Sequence, residues 1–403
     1  MADILTRDDI NVTLAEQPLW VGAIASAEVA ASAWPLLKCM FASAREEGAS
    51  FFSLTQEEDG LTLIMDDRSH EVFEEAAAAR IGSVSYAPHR WRAFEIHLGQ
   101  LIWEVPGIVC FLSTVMANSS ISILNLSTHD RDFVLVSERD VEAATALIRE
   151  KLGGDVDELK AAISEMHDVQ HQVLPSNSQT NGEHARTELA NGLGSGGAER
   201  STVDCNRLAD ACASVGVGDS RSEGADLAPR ESKGQGPAGQ ASSSIDSATS
   251  TSPEWYIKVL APRLVLIRLQ LQMLEPSTHA LMKRLLFSPR RATASFWAYM
   301  HTEDDVSLII DETCVHDFPP GAVLGSPAPW RAMKLTGRKI GFDETGVVSS
   351  MFAPYRERVP LLNLSTFATN VTLVEERDLD AALSAFEVAR MPCRIEAESS
   401  ELE

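Results

Sequence analysis

Leu124-Asn125-Leu126-Ser127-Thr128 recurs as Leu362-Asn363-Leu364-Ser365-Thr366, the same five residues 238 positions further along the chain. Outward from that block, Glu138-Arg139-Asp140 with Ala143-Ala144 returns at the same spacing as Glu376-Arg377-Asp378 with Ala381-Ala382. Trp91-Arg92-Ala93 returns as Trp330-Arg331-Ala332, 239 positions on. Ser50-Phe51-Phe52-Ser53-Leu54 to Asp66-Asp67 aligns without gaps with Ser295-Phe296-Trp297-Ala298-Tyr299 to Asp311-Glu312, 245 positions on. Blocks held in one order at nearly one spacing mark an internal duplication.

Between the copies, from about Ser164 to Pro253, runs such as NGLGSGG and GQGPAGQASSSIDSATSTSP carry no aromatic residue. Such a stretch cannot bury enough apolar area to offset its conformational entropy, so residues 156–253 are expected to form a disordered linker. The rest of the 403 residues supports real cores, since 44% of the chain is hydrophobic. With 34 Lys and Arg against 58 Asp and Glu the formal charge is −24, which disfavours nucleic acid and anionic membrane as partners. Cys39, Cys110, Cys314 and Cys393 lie in or beside apolar runs and none forms a CxxC pair, which fits a reducing compartment. The N-terminus has no basic and apolar leader pattern, so a cytoplasmic protein is expected. Val105–Thr128 carries no formal charge, but Pro106, Gly107, Asn118, Ser119, Ser120, Ser122 and Asn125 interrupt it, which argues against a membrane span.

Each copy alternates strand-like and helix-like patterns. Strands are expected at 61–65, 91–98, 122–126 and 133–136, then at 263–273, 306–310, 330–335, 361–364 and 371–374. Helices are expected at 27–41, 71–80, 108–116 and 141–152, then at 276–287, 347–354 and 379–389, with Asp140 and Asp378 as N-caps. The pattern implies an α+β fold of ferredoxin-like βαββαβ units, two per copy, with helices on one face of antiparallel sheets. The units are expected at 1–90, 91–155, 254–325 and 326–395.

Catalytic motifs are scarce. No serine stands in a GxSxG elbow, and Gly192-Leu193-Gly194-Ser195-Gly196 follows no strand. His167 and His171, beside Glu165 and Asp168, put two imidazoles on one helix face without a third ligand, so no metal and no cofactor is expected. One loop carries chemical information: Gly337-Arg338-Lys339-Ile340-Gly341-Phe342-Asp343-Glu344-Thr345-Gly346-Val347-Val348 joins a strand to an apolar helix. Gly341 and Gly346 permit unusual backbone conformations, and a helix start offers amide donors to a small carboxylate. Glu344 is then placed to meet an ammonium group. An ordinary strand–helix turn explains the same residues. In the first copy Ile102, Glu104, Val105 and Pro106 replace Gly341, Asp343, Glu344 and Thr345, so a single asymmetric site is the simplest interpretation.

Phe51–Thr55 (FFSLT), Ser122–Thr128 (SILNLST), Gly341–Val348 (GFDETGVV) and Asn363–Phe367 (NLSTF) resemble the CASTOR family, cytosolic amino-acid sensors built from four ACT units in two tandem halves. Vertebrate members bind free arginine between their second and fourth units, which releases them from the GATOR complex that controls the TOR kinase. The resemblance implies that Ser122 and Ile123 meet a ligand's head group and that Gly341, Glu344, Thr345, Gly346, Val347 and Val348 wrap its carboxylate and ammonium. Thr366, Phe367 and Thr369 would line the side-chain end. Where the arginine-binding pattern has an aspartate, this chain has Asn370, which implies weakened arginine affinity and leaves arginine or a neutral amino acid as the free amino acid bound. Of the family's partner-binding Tyr, Gln and Asp, only the last is kept in His129, Asp130 and Asp132. A GATOR-type complex and a homodimer are the protein assemblies left open. The alternative is an ACT-type regulatory subunit of an amino-acid biosynthetic enzyme such as aspartate kinase. Neither reading is an enzyme.

Overall fold

A computed structural model describes residues 2–6, 10–42, 51–97, 107–129, 131–153, 255–287, 296–302, 305–324, 328–355, 360–367 and 369–396. The expected linker, with its glycine run and His167 and His171, lies outside the described residues, as do Ile102, Glu104, Val105, Pro106 and Asp130.

The first half contributes β1 (Ala2–Thr6), β2 (Asn11–Leu14), β3 (Trp20–Ala25), α1 (Ala33–Ala42), β4 (Phe52–Glu57), β5 (Gly60–Met65), α2 (Asp67–Ala78), β6 (Ser85–Tyr86), β7 (Trp91–His97), α3 (Ile108–Asn118), β8 (Ile123–Ser127), β9 (Asp132–Ser137) and α4 (Val141–Leu152). The second contributes β10 (Tyr256–Leu269), α5 (Thr278–Leu286), β11 (Trp297–His301), β12 (Val306–Asp311), β13 (Val323–Leu324), β14 (Pro329–Thr336), α6 (Val347–Phe352), β15 (Leu361–Ser365), β16 (Asn370–Glu375), α7 (Leu379–Val388) and β17 (Cys393–Ile395).

The hydrogen-bonded order β4-β5-β3-β6 in the first unit matches β11-β12-β10-β13 in the third. The second unit runs β8-β9-β7-β2-β1, and the fourth runs β15-β16-β14-β10-β17. These are antiparallel ferredoxin-like sheets apart from the parallel β10–β17 pair. One feature departs from sequential units: β2 pairs with β7, so residues 11–14 complete the second unit's sheet. In the second half, β10 does both jobs in one strand. Its start pairs with β14, and its end pairs with β12.

The two halves join edge to edge. β4 pairs antiparallel with β11 so that Leu54 faces Tyr299, and β8 meets β15 with Leu126 facing Leu364. Tyr299 is the residue 245 after Leu54, and Leu364 is the residue 238 after Leu126. Each strand therefore meets its own duplicate, as in the isologous contact of a two-fold dimer. Side chains repeat the symmetry. The Asn125 amide donates to Ser365 Oγ (2.9 Å) and the Asn363 amide donates to Ser127 Oγ (3.0 Å). The Phe367 amide donates to Thr62 Oγ1 (2.9 Å) and the His129 amide donates to Ser307 Oγ (3.2 Å).

The uncharged stretch around residues 105–128 is explained by this seam. α3 is buried along nearly its whole length, and its core continues into Val348 and Phe352 of α6. Among the described residues, no helix is long and apolar enough to cross a membrane. Cys39 and Cys110 are buried free thiols, and Cys314 and Cys393 are half-buried. Burial pushes the Cys39 and Cys110 thiols up to about 12.

Several local expectations change. Residues 27–41 are not one helix: Ser26–Glu28 form a 3-10 turn, and α1 begins at Ala33 with Pro35 in its first turn. The strand expected at 263–273 is displaced to Tyr256–Leu269. Asp140 and Asp378 occupy the N-cap positions without a side-chain cap, because a 3-10 turn feeds directly into each helix. Asp66 is a true cap, accepting the Ser69 amide at 2.8 Å.

Two charged groups at the seam give testable consequences. Lys334 Nζ lies 2.8 Å from Glu57 with the two side chains 8% and 9% exposed, joining the second half to the β4–β5 hairpin of the first. Removing one partner leaves a buried charge uncompensated. Lys334→Met is therefore expected to cost about 3 kcal/mol in urea unfolding, and Lys334→Met with Glu57→Leu is expected to recover most of it. Asp132 accepts from Ser127 Oγ at 2.6 Å, yet burial, the larger effect, pushes its carboxyl up to about 6. A raised folded value means that the contribution is fully present below the unfolded value, about 3.9, and is lost as pH rises through about 6. Asp132→Asn is thus expected to raise the melting temperature at pH 7.5 and to lose that advantage near pH 4.

Candidate functional site

A cleft opens at the seam between the second and fourth units, with about 320 Å³ of space when its open mouth is included. Ser122, Ile123 and Leu124 reach it from the first half, beside the β8 edge. From the second half come Ile340, Gly341, Phe342, Glu344, Val347 and Val348 of the strand–helix loop, and Ser365, Thr366, Phe367, Thr369 and Asn370 of the β15–β16 turn. The segments at Ser122 and at the start of α6, remote in sequence, are therefore brought together. Of the residues expected at a site, Ser122, Ile123, Gly341, Glu344, Val347, Val348, Thr366, Phe367, Thr369 and Asn370 line this cleft. Thr345 is exposed and Gly346 is buried, and neither is part of the lining.

Gly346 nevertheless shapes the loop. It adopts φ 80°, a left-handed conformation, at the N-cap of α6, and its sister Gly107 adopts φ 100° at the N-cap of α3. A side chain at either position would be strained. Gly341 differs: a Cβ added there would meet only the Glu344 side chain, at an ordinary 3.6 Å. Its use is the amide, which donates to Glu344 Oε1 at 2.7 Å.

Glu344 is not waiting empty-handed for an ammonium group. The Arg338 guanidinium donates both arms to its carboxylate, at 2.8 and 2.7 Å. Arg338 in turn lies over the Trp255 ring, 4.4 Å from its centre. Phe342 bridges the halves: its ring lies 5.9 Å from Trp91 and 5.1 Å from Phe367, and its carbonyl accepts from the Ser122 hydroxyl. At the rim, Arg139 of the first half pairs with Asp343 at 2.8 Å, both well exposed.

The far end of the cleft is a neutral amide network. Asn363 Nδ2 donates to Asn370 Oδ1 (2.5 Å) and to Thr372 Oγ1 (2.8 Å). Asn370 Nδ2 donates back to Asn363 Oδ1 (3.0 Å) and to Ser365 Oγ (3.2 Å). Both asparagines are buried. An aspartate at 370 would have no proton for the last two bonds, so the amide has a structural use of its own. The Thr369 hydroxyl donates to the Leu335 carbonyl, and the Thr366 hydroxyl donates to the Thr369 carbonyl at 3.2 Å.

Sequence reasoning missed Leu124, Ile340, Phe342 and Ser365 in the lining and Arg338 behind it. Leu124 and Ser365 belong to the repeated LNLST block, whose self-pairing was the available signal. Of the three residues expected at a partner surface, His129 is exposed and Asp132 is half-buried against Ser127. Among the described residues, no group of His, Cys, Asp and Glu is arranged to hold a metal.

Residues 86–150 and 325–387 match the ACT domain family, covering β7 to α4 in one half and β14 to α7 in the other. Cytosolic arginine sensors for mTORC1 (subunit 1) from Pongo abelii and Homo sapiens are each 21% identical over 88% of this chain and 90% of their own length. Among solved structures, the regulatory subunit of aspartate kinase from Thermus thermophilus is 18% identical, covering 34% of this chain and 95% of its own, with a TM-score of 0.27. Two regions of the chain thus match the ACT domain family, one in each half, and the chain as a whole is similar to the cytosolic arginine sensors over most of its length.

Proposed function

We propose that this chain is a cytosolic amino-acid sensor that holds one free amino acid in the seam cleft and thereby changes its affinity for a protein partner, a GATOR-type complex being the first to test. The observation that carries the reading is the composition of the cleft, which takes Ser122–Leu124 from one half and the 340–348 loop with the 365–370 turn from the other. A ligand gripped from both halves has different affinity for different arrangements of them, the requirement for a switch. The relatives' name, arginine sensor, supports the ligand class.

Side-chain preference is inferred to be neutral. Among the described lining residues Glu344 is the one acid, and Arg338 already neutralises it. A guanidinium buried against the Asn363–Asn370 amides would keep its desolvation cost without a facing carboxylate. A charge-assisted bond contributes about 1.5–3 kcal/mol, so its absence weakens a cationic ligand about ten- to a hundredfold.

Thermal-shift screening of the twenty L-amino acids tests the first claim. At about 100 times its dissociation constant a true ligand adds about 2.7 kcal/mol of stability, a shift of several degrees. No shift with any of them would remove the sensor reading. The second claim is tested by Asn370→Asp, which is expected to improve binding of L-arginine over its neutral isostere L-citrulline at least tenfold. The same change is expected to cost about 1–3 kcal/mol of stability through the lost donors to Asn363 and Ser365. Tight arginine binding by the unaltered chain would overturn the neutral preference.

A further inference from the structure

Glu344 occupies a fully formed carboxylate site. Two guanidinium donors of Arg338 and the Gly341 amide converge on its two oxygens at 2.7–2.8 Å, the bidentate geometry in which arginine recognises planar anions. The site is open enough to exchange, with the Arg338 and Glu344 side chains 31% and 25% exposed. It borders the cleft through Gly341 and Glu344, which both line it. The Trp255 ring under the guanidinium fixes the plane of the fork.

Among the described residues, no cationic side chain lines the cleft itself. Lys339 is exposed on the loop, and Arg139 is held at the rim by Asp343. A zwitterion entering the cleft would therefore meet Glu344 as an anion and, bonded directly behind it, the guanidinium of Arg338.

We propose that Arg338 is the receptor for the α-carboxylate of the bound amino acid and that Glu344 is an internal stand-in for it. The inference rests on the reading of the cleft as an amino-acid site and adds to it a group outside the lining. On binding, the incoming carboxylate takes the Arg338 fork and the Gly341 amide. Glu344, released by that exchange, takes the ammonium. One swap of partners satisfies both ends of the zwitterion and leaves no charge unpaired. It also explains why an acid stands three residues after Gly341: the stand-in keeps the fork and the amide organised while no ligand is present.

The test is calorimetric titration of the full chain and of Arg338→Gln and Arg338→Lys. The probes are the twenty L-amino acids and, for the one that gives the largest thermal shift, its α-carboxamide. The unaltered chain is expected to prefer the acid over the amide about ten- to a hundredfold. Arg338→Gln is expected to lose the acid-over-amide preference, because the carboxylate loses its fork while the freed Glu344 still meets the ammonium of both probes, and Arg338→Lys, with charge but no fork, is expected to recover part of it. A merely structural role would weaken both probes alike. If an amino acid binds and Arg338→Gln keeps the acid-over-amide preference, this proposal falls while the sensor reading stands. If Arg338→Gln does not fold, an undiminished preference in Arg338→Lys overturns it in the same way. If no amino acid binds the unaltered chain, both fall together.

Discussion

The pairing of each half's edge strand with its own duplicate is the constraint from which the rest of the molecule follows. Leu54 opposite Tyr299 and Leu126 opposite Leu364 fix a local two-fold relation, and a one-residue slip would turn every buried side chain of β4, β8, β11 and β15 to the wrong face. The repeated LNLST block serves this contact at two levels. Its leucines fill the cores beneath the sheets, and its Asn and Ser residues cross-bond the strands where the backbone ladder is reduced to the Leu364–Leu126 bridge. Each neutral bond contributes about 1 kcal/mol net, so the four reciprocal bonds matter less for total stability than for register. Edge strands that meet this way are also no longer templates for foreign strands.

Symmetry of the frame makes its departures legible as chemistry. The position of Asn370 in the second half is held by Asp132 in the first, that of Thr369 by Arg131, that of Phe367 by His129, and that of Lys334 by Glu95. In the first half Arg131 and Glu95 form an ion pair with side chains only 13% and 12% exposed. In the second half the matching Lys334 turns instead to Glu57 across the seam, and Thr369 is left short and polar beside the cleft. One sister position is thus filled by a long paired side chain, while the other keeps space. The same frame that repeats the backbone puts charge on one side and neutral amides on the other.

The sequence was legible wherever periodicity alone decided the structure. α4 occupies the residues its apolar spacing indicated and α7 begins where it was expected, because each buries one stripe, while α3 and α6 begin at their left-handed glycines Gly107 and Gly346 and bury most of their lengths at the seam. The alanine-rich run from Ala27 misled for the converse reason. Its propensity is helical, but Ser26–Glu28 tighten into a 3-10 turn at the strand end, and only from Ala33 does α1 pack on the sheet. The assignment of residues 11–14 to the second unit had no local signal, because strand exchange between neighbouring units is a tertiary event. At the candidate site the residue types were readable and their partners were not. Glu344 read as free acid, whereas Arg338, six residues earlier, claims it through a hydrogen-bond geometry that no spacing rule encodes.

Those partners decide how the cleft can work. Ser122 is bonded to the Phe342 carbonyl, Thr366 and Thr369 to backbone carbonyls, Asn370 to Asn363 and Ser365, and Glu344 to Arg338 and Gly341. A ligand therefore finds these side chains already engaged, and each bond it makes to one of them replaces a bond within the protein. Exchange of this kind yields little net energy per bond, since the same donors are satisfied before and after. What changes is which segments are tied together. Ser122 to Phe342 ties the two halves, and Arg338 to Glu344 ties the loop to the start of β10 through Trp255. A ligand that trades places with such bonds rewires the seam, so its affinity depends on how the halves are held. Under the proposed function, that dependence is what would separate a sensor from a store.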